Sequence, residues 1–276
     1  MIGAIIGDIV GSIYEFNNHR SKDFKFIEPD KMFFTDDTVM SLCVGKAVKD
    51  SFDDERNDWD YDKLSELARE YMQDIGENYP DCGYGGRFYY WIMEHQKEPY
   101  NSFGNGAAMR VTACGEVARS IEEAEALAEA VTKVSHNHPE GIKGAKAVAV
   151  AVFLAKERLF KRDIAEEIQT RYYPDYKFCE EGFRCDDIRP TYQFNETCQD
   201  TVPQALECFF ESEDFEDAIR NAISIGGDSD TVAAITGSVA EAYYDVKPNS
   251  VRSKRFRIHF LDDRLNDLLT EWEHFK

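Results

Sequence analysis

The sequence predicts an all-α fold, and two observations carry that expectation. Apolar residues recur at three- and four-residue steps over several long stretches, the spacing of one helix face. Nowhere does a long two-residue alternation appear, nor the strand, glycine-rich turn and helix succession of a dinucleotide-binding unit. With 276 residues the chain can bury a substantial core and lies near the upper end of one domain, so a single domain over residues 1–276 is expected.

The first stretch, MIGAIIGDIVGSIYEF, is apolar, yet it lacks a basic flank, carries Asp8 and is too short to span a bilayer. It reads as structure, with no membrane role. Gly3, Gly7 and Gly11 recur every four residues and leave one helix face bare for close approach of a second helix. Asp8, Ser12 and Glu15 follow at steps of four and three and make a second, polar face. Burying that face without partners is costly, so either Glu15 looks into a site with Asp8 behind it, or the face is solvated.

FFTDDTVM (33–40) sets Thr35, Asp36, Asp37 and Thr38 at the mouth of an apolar helix. The stretch 75–106, rich in Gly, Tyr, Asn and Pro, reads as irregular, and long loops inside compact helical domains often carry function. At its end NSFGNGAAMR (101–110) places Asn105 between Gly104 and Gly106. Freed backbone N–H groups there can cradle a phosphate, with Phe103 beside them to stack on a base, although a plain turn has the same spacing. Ser120 and Glu123 have the capping-box pattern, and Ile121, Ala124, Leu127, Val131 and Val134 share a face. SHNHPEG (135–141) follows. His136 is expected to donate a hydrogen bond to a ligand, and His138 to be a loop residue before Pro139.

Residues 145–160 are apolar almost all round at first, as in a helix buried at the centre of a bundle. Prolines and aromatics make 172–203 a second irregular stretch. Phe215, Ala218, Ile219, Ala222 and Ile223 form a helix that should stop at Gly226 and Gly227, with a new one starting after Asp228, Ser229, Asp230 and Thr231. Leu261, Leu265, Leu268, Trp272 and Phe275 complete the pattern.

The 228–231 cluster repeats the plan of 35–38, so the two mouths can face each other. Their donors are carboxylate and hydroxyl oxygens without sulfur or imidazole, which selects a hard cation such as Mg2+ or Mn2+. Helix capping is the plain alternative for either cluster. With 53 Asp and Glu against 32 Lys and Arg, the net charge of −21 opposes binding along a nucleic-acid backbone. Seven irregularly spaced cysteines form no CxxC pair and are expected to be reduced thiols of a cytoplasmic protein.

Four motifs in fixed order, GDIVGSIYEF, FTDDTVM, SFGNGAAMR with SHNHPEG, and GGDSDTVAA, closely resemble the ADP-ribosylglycohydrolase family, over residues 1 to about 245. The resemblance implies a compact orthogonal helical bundle with a dinuclear Mg2+ or Mn2+ centre. Thr35, Asp36 and Asp37 match one set of metal ligands, and Asp228, Asp230 and Thr231 the other. Glu15 stands at the place of a mobile catalytic glutamate, with Asp36 also at the reacting centre. Ser102, Phe103, Gly104, Asn105 and Gly106 match a diphosphate loop with an adenine-stacking aromatic, and His136 a ligand-contacting histidine. Ala107 departs from the glycine of some members. The implied activity is hydrolysis of an ADP-ribosylated protein or small-molecule ADP-ribose conjugate by a monomer. A non-catalytic ADP-ribose-binding module and a metal-dependent nucleotide phosphohydrolase are the rival functions. The regions of about 75–99 and 172–203 are where members differ, leaving the acceptor open.

Overall fold

The computed structural model describes residues 1–179 and 184–276. In chain order the elements are α1 (Ile2–Gly11), α2 (Asp36–Ser51), β1 (Phe52–Asp53), β2 (Asp58–Trp59), α3 (Tyr61–Gly76), α4 (Gly86–Met93), α5 (Gly106–Met109), α6 (Thr112–Val117), α7 (Ile121–Thr132) and α8 (Pro139–Lys156). There follow α9 (Lys161–Tyr172), α10 (Cys185–Ile188), α11 (Cys198–Glu211), α12 (Phe215–Ile225), α13 (Ser229–Tyr244), α14 (Val251–Phe260) and α15 (Asp263–Phe275). The fold is all-α, its only sheet among the described residues a two-stranded antiparallel pair, Phe52 opposite Trp59.

At the centre α1 lies along α13. Every residue of α1 is buried, and α13 is buried from Ser229 to Glu241. The bare face expected of Gly3, Gly7 and Gly11 is what makes this possible. A Cβ on Gly7 would stand 2.0 Å from the Ala233 carbonyl oxygen, so the two backbones touch. Such contact brings the C-terminal end of α1 beside the first turn of α13. α2, α12 and α14 also pack on α1, while α8 is enclosed by α5, α6, α7, α9, α11 and α13, which explains its nearly continuous apolar surface.

Side-chain caps set several helix starts. Thr35 Oγ1 accepts from Asp37 N–H at the head of α2, and Asp214 from Asp217 N–H at the head of α12. Ser120 caps α7 as expected, but Glu123 reaches past it to accept from Arg119 N–H at 2.7 Å. α12 ends where expected, at Gly226 and Gly227 with φ of +75° and +80°, a conformation costly for any residue with a Cβ. That turn feeds the chain into α13.

Several boundaries differ from expectation. α1 stops at Gly11, so Glu15 lies on the following loop and not on a helical face. The 75–106 stretch contains α4, whose Phe88, Trp91 and Ile92 are buried; glycines and adjacent aromatics masked its periodicity. In 172–203, α10 and the start of α11 are helical, and Pro203 sits inside α11, giving up one intrahelical hydrogen bond in a buried, well-packed position. α8 begins at Pro139, with His138 as a cap whose Nδ1 accepts from Glu140 N–H, and ends at Lys156. In α15 the buried stripe is Leu265, Leu269 and Trp272; Leu268 is half-buried. All seven cysteines are free, and no helix among the described residues is long and apolar enough to cross a membrane.

Candidate active site and metal centre

A cleft of about 400 Å³ opens where the heads of α2 and α13 meet. Glu15, Asp36, Asp37, Ser102, Phe103, Gly104, Asn105, Gly106, His136, Asp228, Asp230 and Thr231 all line it. Thr35 stands just behind.

Asp8 is the hub of that rear layer. Its buried carboxylate accepts from Thr35 N–H at 3.0 Å, Thr35 Oγ1 at 2.7 Å, Thr38 N–H at 3.1 Å and the Thr38 hydroxyl. Burial pushes this carboxyl up to about 6, with the threonine hydrogen bonds opposing the rise. The four contacts pin the start of α2 to α1. Across the cleft Thr231 Oγ1 donates to Asp37 Oδ2 at 3.1 Å and ties the two acidic mouths together.

Carboxylate oxygens of Asp8, Asp37 and Asp230 lie within 4.8 Å of one another, as do those of Glu15, Asp228 and Asp230. Asp230 belongs to both groups, which therefore abut. Burial, reinforced by the Asp230 charge, holds Asp36 and Asp37 well above the ordinary carboxylate range. For Asp230 burial acts with the neighbouring Asp228. Asp37 Oδ1 and Asp230 Oδ1 are buried with no hydrogen-bond partner. Unpaired buried carboxylate oxygens are expensive, and an all-oxygen donor set of this kind fits hard divalent cations. Of the expected ligands, Asp37, Asp228 and Asp230 fall in these groups, Asp36 and Thr231 line the same cleft and Thr35 lies behind it, while Asp8, expected only as a support, joins the first group.

Glu15 sits half-buried on the loop after α1. Asn18 fastens that loop, its Nδ2 donating to the Tyr14, Glu15 and Gly227 carbonyls and its Oδ1 accepting from Gly227 N–H at 2.9 Å. Burial and then the Asp230, Glu196 and Asp8 charges push the Glu15 carboxyl up to about 8.

The 102–106 loop forms another wall. Its Gly104 N–H donates to Ser102 Oγ and its Asn105 N–H to the Glu196 carbonyl, so these two groups are already engaged within the protein. Asn105 turns its side chain to the acidic centre, where Nδ2 donates to Asp228 Oδ2 at 2.7 Å. Both flanking glycines lie against His136, where a Cβ at either position would make ordinary contact with Nε2 at 3.5 Å. On the other edge of the ring, Nδ1 lies 3.2 Å from Arg110 Nη2 and 2.9 Å from Ser135 Oγ. An arginine only donates, so Nδ1 accepts and Nε2 carries the proton, aimed at the loop. Burial, then the Arg110 charge, holds His136 well below its usual pKa, and the ring is neutral. Phe103 is 43% exposed and meets His138 edge-on.

Gly83, Arg87, Phe88, Tyr100, Glu196 and Thr197 also line the cleft and were not expected there. The glycine-rich irregularity of 75–106 was the available signal for the first four. Nothing in the local sequence marks Glu196, which reaches the site through the Gly104–Thr197 bridge.

The family model for ADP-ribosylglycohydrolase matches residues 1–267. Among curated relatives, ADP-ribosylhydrolase ARH3 of Homo sapiens is 24% identical over 315 residues, covering 88% of this chain and 84% of its own. ADP-ribosylarginine hydrolase Tri1 of Pseudomonas putida (strain GB-1) is 27% identical over 267 residues, covering 89% and 70%. A solved structure described as an ADP-ribosylglycohydrolase-related protein complex superposes with a TM-score of 0.66 at 20% identity, covering 99% of this chain and 96% of that one, and shows the shared fold. With the motifs gathered around one cleft and the family match running almost end to end, the chain belongs to the ADP-ribosylglycohydrolase family.

Proposed function

We propose that this chain hydrolyses the bond between C1″ of an ADP-ribosyl group and an acceptor, with two divalent cations, Mg2+ or Mn2+, held at the acidic centre. The observation that carries the reading is the pair of buried, unpartnered oxygens, Asp37 Oδ1 and Asp230 Oδ1, in a cleft whose carboxyl groups are held above their ordinary range. Thr35, Asp36 and Asp37 would hold the ions from the α2 side, and Asp228, Asp230 and Thr231 from the α13 side. When bound, such ions supply positive charge that polarises ribose hydroxyls and a water.

The remaining chemistry falls to the chain. The His136 Nε2–H faces the diphosphate beside the 102–106 wall, whose Gly104 and Asn105 N–H groups are engaged within the protein, and Phe103 offers its exposed face to the adenine. The water oxygen bonds to C1″ as the C1″–acceptor bond breaks, and the departing electron pair stays with the acceptor nitrogen or oxygen, which gains a proton. C1″ passes through an oxocarbenium-like state, which the surrounding carboxylate oxygens stabilise. Glu15 takes the proton from the water or delivers one to the leaving atom, from its half-buried place at the edge of the acidic centre.

The test is turnover of arginine- and serine-linked ADP-ribosyl peptides, with chelator and then Mg2+ or Mn2+ add-back. ADP-ribose released only with metal is the expected product. AMP as product marks a phosphohydrolase, and ligand retention without product marks a binding module; either overturns the reading.

A further inference from the structure

We infer that Asn105 and Thr201 are positioning residues for Asp228, and that a hydrogen-bonded relay from α11 through the 102–106 loop sets the Asp228 carboxylate for the ion it is to hold. The inference rests on the metal-dependent reading above. It places the Asn105 side chain with the acidic centre instead of with the substrate.

Asn105 is buried, 6% exposed, and its Nδ2 has two hydrogens to give. One goes to Asp228 Oδ2 at 2.7 Å and the other to Thr201 Oγ1 at 3.2 Å. Thr201 is itself fully buried on α11, and its single hydroxyl hydrogen goes to the Asn195 carbonyl at 3.1 Å. Its oxygen therefore meets Asn105 as an acceptor. That fixes the direction of the amide, because the reverse orientation would set Asn105 Oδ1 against the Thr201 lone pairs and the Asp228 carboxylate together. Thr201 lies in none of the four motifs and does not line the cleft, so it reaches the acidic centre only through Asn105.

The backbone holds the relay on both sides of the amide. Asn105 N–H donates to the Glu196 carbonyl at 2.7 Å and Cys198 N–H to the Phe103 carbonyl at 2.9 Å, which joins the loop to the segment entering α11. At the far end Asp228 groups with Glu15 and Asp230. Repulsion among three carboxylates favours splaying them apart, and a neutral amide donor holds one oxygen in place without adding charge. Such a partner behind a metal ligand orients it and raises ion affinity.

The test is a Mn2+ titration of the full chain without nucleotide, read by the EPR signal of the free ion. ADP-ribose affinity is measured separately by calorimetry, and Tm in chelator shows that each variant is folded. Asn105→Ala should weaken Mn2+ binding about 10- to 100-fold. Thr201→Val, which exchanges the hydroxyl for a methyl group, should weaken it about 2- to 12-fold, and Thr201→Ser should restore the unaltered value. Unmoved Mn2+ affinity in Asn105→Ala, whatever happens to ADP-ribose affinity, overturns the inference. Equal weakening by Thr201→Val and Thr201→Ser does the same, since the hydroxyl is then not what acts. Should Asn105→Ala fail to fold, the two Thr201 variants decide alone. No Mn2+ binding by the unaltered chain overturns the metal reading itself, and this inference with it.

Discussion

Arg110 carries a guanidinium into the interior at 0% exposure, over the Phe88 ring, with its Nε and Nη1 unpartnered and its Nη2 on Ser135 and His136. Burial lowers it only to about 10, so it remains charged at neutral pH. Its consequence is the fixed tautomer of His136. Replacing it with methionine nearly keeps the volume but leaves Nδ1 with Ser135 Oγ alone, a hydroxyl that can donate or accept. We expect Arg110→Met to weaken ADP-ribose binding by about tenfold, as loss of a charge-assisted hydrogen bond does, and to mix the imidazole tautomers. Calorimetry and imidazole 15N shifts check this; a pure Nε2–H signal in the variant would contradict it. The acidic centre divides differently. Asp37→Asn should abolish Mn2+ binding in a titration together with turnover, whereas Glu15→Gln should keep the ion and slow kcat by about 10²- to 10⁴-fold. At this scale the sequence was most legible where a motif is local, as in 35–37, 102–106 and 228–231. Arg87, at the exposed start of α4, and Glu196, on an exposed loop, escaped notice because exposed positions carry no apolar period, and only the folded chain brings them to the cleft.

Among elements, the seam between α1 and α13 is the one the sequence disclosed best, because a four-residue glycine spacing has few other uses in an apolar helix. Its closeness makes it unforgiving. Gly7→Ala places a methyl 2.0 Å from the Ala233 carbonyl oxygen, and a backbone atom cannot rotate aside. The expected cost is at least about 3 kcal/mol, the upper part of the range for overpacked cores, read as a lowered midpoint in urea unfolding. Since the seam also sets the Asp8–Thr35 contacts, metal affinity should fall with it. Where the reading erred, the causes are physical. Glu15 continued a helical spacing past Gly11, where the chain in fact turns, and α4 hid behind two glycines and a cluster of aromatics. Pro203 was read as a breaker, but burial of its neighbours on α11 outweighs one lost hydrogen bond.

For the molecule as a whole, the acidic centre should make stability depend on pH and, on the proposed function, on divalent cations. Asp8 and Asp228 are raised to about 6 and Glu15 to about 8, above the range of an unfolded chain. The folded protein therefore holds protons that the unfolded chain releases. Their contribution is complete below the ordinary carboxylate pKa and is lost as pH rises through about 6 and then about 8. Chelated protein should accordingly show a Tm that falls between about pH 4.5 and pH 8. Mg2+ or Mn2+ should restore it, with an increment that grows with pH and reaches about 2.7 kcal/mol at a hundredfold excess over Kd. A flat Tm in chelator, or an increment independent of pH, would contradict this. The pairing of α1 with α13 bears finally on how the protein is made. Roughly 220 residues separate them, and at bacterial or eukaryotic elongation speeds ribosomes need about 10–45 s to cross that distance. Throughout that interval the apolar 2–11 segment stands without the partner that buries it, and the two acidic mouths cannot meet until translation has passed Thr231.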